Sequence, residues 1–137
     1  MATTITDYTP TENLPSYVDT DEAQAIAQEI RRQIGPLVLM SLGASDLTYA
    51  PAGRGTLIFK ARILPFKANG ERSERAAVMM VRVVLTAADT YTVSVVYRTR
   101  GELRLHMQRE GVYCDEISRL MLALDYDGEE VLNPRYI

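Results

Sequence analysis

The chain has 137 residues, 47% of them hydrophobic and 24% charged, with a formal net charge of −3. That length and balance suit one globular domain and lie far from disordered compositions. A lone cysteine, Cys114, excludes an internal disulfide; no apolar run approaches the roughly 20 residues that span a bilayer, and residues 1–8 lack the basic and apolar regions of a secretory signal. A cytoplasmic protein with no membrane partner is the expectation.

Residues 1–18 are rich in Thr, carry Pro10 and Pro15 and show no sustained periodicity. They read as a flexible arm ahead of a single domain over 19–137. A helix is predicted next, with Asp19 or Thr20 as N-cap and Asp21 and Glu22 against the positive end of its dipole. Ala23, Ile26, Ala27, Ile30 and Ile34 recur on one face, and Gly35-Pro36 stops it. Residues 37–43 are apolar on both parities, which fits a buried strand or a continued helix equally.

The middle of the chain is β. Residues 56–64, 77–85, 91–100 and 103–108 read as strands rich in Val, Thr, Tyr and Met. A polar loop at 67–75 follows the first, residues 87–90 join the second and third, and Gly101-Glu102 turns into the fourth. Links this short imply antiparallel neighbours, with 77–85 central because it is apolar on both faces except for Arg82. A second helix is predicted from Asp115, with Ile117, Leu120, Met121 and Leu124 facing inward and Gly128 ending it. The fold class is α+β: an antiparallel sheet of about four strands with an N-terminal and a C-terminal helix packed on one face.

Charge is sorted along this plan. Between Arg54 and Arg109 stand 11 Lys/Arg and four acids, while the two flanks together carry four Arg and 14 acids. Unbroken alternation puts Leu57, Phe59, Ala61 and Ile63, then Tyr91, Val93, Val95 and Tyr97, then Leu103, Leu105 and Met107 under the helices. Lys60, Arg62, Arg98, Arg100, Arg104 and His106 then share the open face, with Ile58, Val84 and Val96 among them. A wet sheet face needs polar residues in any case. Yet Arg outnumbers Lys by 13 to 2, and guanidinium forks match phosphate and carboxylate geometry. These six residues are therefore the candidate anion or partner site. Nucleic acid is one reading; a pI near 5.2 and the absence of Trp argue against it.

Other motifs carry less. His106 and Cys114 lack an orienting third group in the sequence and read as a sheet His and a helix-entry Cys. Asp125-Tyr126-Asp127-Gly128 opens like a calcium loop, but Gly128 comes too early and no closing Glu follows. Ala52-Gly53-Arg54-Gly55 lacks the Lys-Ser/Thr and helix of a phosphate-binding loop and reads as a turn. No catalytic residue, metal ligand or cofactor site is expected.

Several strings carry a resemblance. Ile34-Gly35 with 38–44 (VLMSLGA), Leu47-Thr48-Tyr49, Leu57-Ile58-Phe59-Lys60, 84–93 (VLTAADTYTV) and 111–115 (GVYCD) resemble a family of small uncharacterised bacteriophage and mobile-element proteins. The likeness runs over about residues 22–124. It implies a setting, the bacterial host cytoplasm, and no residue roles. Within it the expected function is that of a non-enzymatic accessory protein that binds a host or phage protein, for example to inhibit a host defence system. A nucleic-acid-binding protein using the basic sheet is the alternative. A second copy of the chain could also cover the mixed face, giving a homodimer.

Overall fold

The computed structural model describes residues 8–124 and the backbone of Thr3–Thr4; the acidic stretch from Asp125 and the expected stop at Gly128 lie outside them. The elements run β1 (Thr3–Thr4), a 3-10 turn (Thr11–Asn13), α1 (Thr20–Ile34), α2 (Pro36–Ser41), β2 (Ser45–Ala50), β3 (Thr56–Ile63), β4 (Ala77–Leu85), β5 (Tyr91–Thr99), β6 (Glu102–Val112) and α3 (Ile117–Leu124).

α1 begins where its capping chemistry begins. The Asp19 carboxylate accepts the Glu22 N–H at 2.8 Å, with Asp21 and Glu22 in the first turn and Arg31 and Arg32 in the last. Ala23, Ala27, Ile30 and Ile34 are buried. Gly35, at φ +96°, breaks the helix, and Pro36 restarts it as α2. Residues 37–41 are thus helical rather than a strand, in a second helix beyond the Gly35 break, with Leu42 and Gly43 in the turn that follows.

β2 to β6 form an antiparallel meander in which each strand pairs with its neighbour in sequence, and β1 adds two residues beyond β6. β4 lies at the centre, between β3 and β5. The sheet is α+β as expected, with one more full strand. β2 is polar and exposed at the edge, its residues Ser45, Asp46, Thr48 and Tyr49 facing solvent, so its sequence shows no burial pattern. A register shift between Ser45 and Thr48, with Asp46 at φ +54°, interrupts that edge, which discourages edge-to-edge pairing.

One face of the meander carries the core. Leu57 opposes Val83, Phe59 opposes Val81 and Ala61 opposes Met79; Val81 and Val83 in turn oppose Val95 and Val93. These side chains join Ala27, Ile30 and Ile34 of α1, Leu39 of α2 and Ile117, Met121 and Leu124 of α3 in one buried cluster. The Ser118 hydroxyl donates to the Ile34 carbonyl at 3.0 Å, tying α3 to the end of α1. The other face is left to the arm and to solvent. No described helix is long and apolar enough to cross a membrane.

Candidate binding surface

The open face is less basic and more apolar than unbroken alternation predicts. Thr56, Ile58, Lys60 and Arg62 of β3 stand there opposite Val84, Arg82, Met80 and Val78 of β4. On β5, Thr92, Ser94 and Val96 continue the rows, and Arg98 follows on the same parity. Lys60, Arg62 and Arg98 are exposed as expected. Lys60 is engaged: its ammonium lies 3.2 Å from the Asp46 carboxylate. Val78 and Met80, between these cations, are 60% and 40% exposed.

Three residues of the expected set lie elsewhere. β5 ends at Thr99, and Arg100 sits in the two-residue turn with Gly101, both at positive φ (53° and 78°). That is the hairpin turn whose twist matches the strands, and it points Arg100 off the sheet. Arg104 and His106 are moved by a β-bulge. Val95 opposes Met107 but Val96 opposes Leu105, so His106 is an extra residue in β6. A bulge puts consecutive residues on one face and shifts the parity beyond it. Met107 packs towards the core, Leu103 and Leu105 move to the open face, and Arg104, opposite Tyr97, moves to the helix side.

His106 is accordingly no surface cation. It is 7% exposed, stacked on Phe66 with centroids 4.8 Å apart and edge-on to Tyr97 at 6.5 Å. Burial first, then the nearby Arg72 cation, pushes its pKa down to about 4, so the ring is neutral near pH 7. Arg72 lies 4.7 Å over the Phe66 ring and donates to the carbonyls of Leu64 (2.7 Å) and Leu124 (3.4 Å). The 67–75 loop is thereby fastened to the end of α3.

The other end of the open face is covered by residues 8–18, the stretch expected as an arm. They are held at two places. Pro15 and Tyr17 exchange backbone hydrogen bonds with Gly53, at 2.7 and 2.8 Å. Glycine is required at this turn: at φ +60° a Cβ on Gly53 would lie 2.6 Å from the Leu85 carbonyl oxygen. Further along, Arg82 reaches up from β4. Its Nη1 donates to the Thr9 carbonyl at 2.7 Å and the Thr11 hydroxyl at 3.2 Å, and its guanidinium lies 4.3 Å over the Tyr8 ring. Val84, which lines a hollow with Leu14 and Pro15 of this stretch, is 7% exposed on a face expected to be open; Val96, expected there too, is 4% exposed.

Arg82 is the charge that stands out on an apolar strand in the sequence; that it is clasped by residues some seventy positions earlier has no local signal. Comparison with protein-family models, with curated proteins and with solved structures finds no match.

Proposed function

We propose that this chain is a small accessory protein that works by binding another protein through the uncovered end of its sheet. The observation that carries this reading is the pair Val78 and Met80, 60% and 40% exposed on strand positions, with Lys60, Arg62 and Arg98 around them. Exposed large apolar side chains on a rigid sheet mark interaction sites when they stand together, and Met and Arg are enriched at interface centres. The partner that fits is a protein segment with apolar side chains and carboxylates. In the phage or mobile-element setting that the sequence resemblance implies, it would be a host or phage protein in the bacterial cytoplasm, inhibition of a defence system being one form of such binding. Nucleic acid is served less well: among the described residues the exposed cations of the face are Lys60, Arg62 and Arg98, Lys60 being held by Asp46, and Tyr97 lies on the opposite side, unavailable for stacking.

The test compares capture from bacterial lysate, with and without nuclease, by the wild type, by Met80→Asp and by Arg62→Glu/Arg98→Glu. We expect a nuclease-resistant partner that both variants lose, because one variant buries a lone carboxylate at the centre and the other reverses the rim charge. Retention of the same partner by both variants would refute the site. A complex that nuclease destroys, and that weakens steeply with salt, would transfer the face to nucleic acid.

A further inference from the structure

Arg82 is a guanidinium largely withdrawn from water. The side chain is 4% exposed, and among the described residues no carboxylate comes within ion-pair distance of it. What it has is neutral: one backbone carbonyl, one hydroxyl and the face of a tyrosine ring. Its Nε–H is closed off from solvent and has no acceptor. Buried cations are ordinarily paired, and a buried donor left unpaired is costly. Burial also works against the charged form, lowering the pKa of the group, with Glu12 on the arm opposing from beyond contact.

The same side chain lines a cavity of about 280 Å³ between the arm and the sheet. Leu14, Pro15, Val84 and Ala87 make its apolar wall, and Thr92 and Gln108 stand beside Arg82. Gln108 is fixed by accepting the Ser94 hydroxyl at 2.8 Å. An apolar hollow of this size with a few convergent polar groups has the character of a small-ligand site. Glu110 also lines it, a negative charge that weighs more heavily against a dianion than against a monoanion.

We propose that this cavity binds a small organic monocarboxylate, its carboxylate pairing with Arg82 and its apolar body lying against Leu14, Pro15 and Val84. The ligand supplies the carboxylate partner that Arg82 meets on none of the described residues, in the planar geometry a guanidinium pairs with best. This site is separate from the Val78–Met80 surface, and neither depends on the other.

The full-length chain is titrated with benzoate and, separately, with inorganic phosphate at matched ionic strength, following the Arg82 Nε–H resonance and the thermal midpoint. Benzoate should move the resonance saturably and raise the midpoint, while phosphate leaves the resonance in place. Arg82→Lys should weaken benzoate binding by about tenfold or more, since it keeps the charge and loses the fork. Glu110→Gln, an exposed change that leaves the fold alone, should tighten it several-fold, which keeps the test decisive if Arg82→Lys fails to fold. An unmoved resonance at about 10 mM benzoate, equal response to phosphate, or a Glu110→Gln variant that binds no more tightly would each overturn the proposal.

Discussion

His106 illustrates how far a single residue's surroundings can depart from its sequence context. Between Leu105 and Met107 on a strand rich in Arg it reads as one more surface cation, yet the bulge turns it under Phe66. Its folded pKa of about 4 lies below the usual value of 6.5. Below pH 6.5 the unfolded chain therefore takes up a proton that the folded chain refuses. The neutral ring's contribution to stability is fully present above pH 6.5 and is lost as the pH falls towards 4. A His106→Phe variant has no such proton to take. Its thermal midpoint, measured against wild type at matched pH, should gain steadily between pH 6.5 and 4; a constant difference across that window would mean that the ring is not held neutral.

Among the elements, β4 is the one whose place follows from its own residues. A run apolar on both parities suits the middle of a sheet, and residues 81–85 of β4 are buried on both faces, while Val78 and Met80 stay exposed on the open one. Val83 is fully buried between Leu57 and Val93. Val83→Asp should therefore cost several kcal/mol, the penalty for an unpaired buried carboxylate, visible as loss of the cooperative unfolding transition at moderate temperature. A parent-like midpoint would remove β4 from the core. The helices are equally legible, through the cap at Asp19, the stop at Gly35 and the inner faces of α1 and α3. Where the sequence misleads, the causes are specific. β2 is polar because it is an edge, so burial leaves no imprint on it. The bulge in β6 adds one residue without altering composition, and every face assignment N-terminal to it in that strand inverts. Of the six expected site residues, Lys60, Arg62 and Arg98 share the open face; the bulge removes Arg104 and His106 from it, and the turn after β5 removes Arg100.

At the scale of the whole molecule, charge decides what the uncovered surface can meet. Two copies brought together face to face across a twofold axis would set Arg62 and Arg98 against their own equivalents, with little screening at low ionic strength. Light scattering at low salt and high micromolar concentration should accordingly report the 15.3 kDa monomer. A doubled mass would instead make a second copy the occupant of the Val78–Met80 surface. The clasp of residues 8–18 over Arg82 has a consequence of another kind, in the order of events during synthesis. The meander joins sequence neighbours, so its hairpins can close as they are made. The clasp cannot: residues 8–18 leave the ribosome roughly sixty residues ahead of β4, about 3–12 s at ordinary rates of translation. For that interval the early segment has no β4 to lie on, and its docking on Arg82 waits for a strand made well after it.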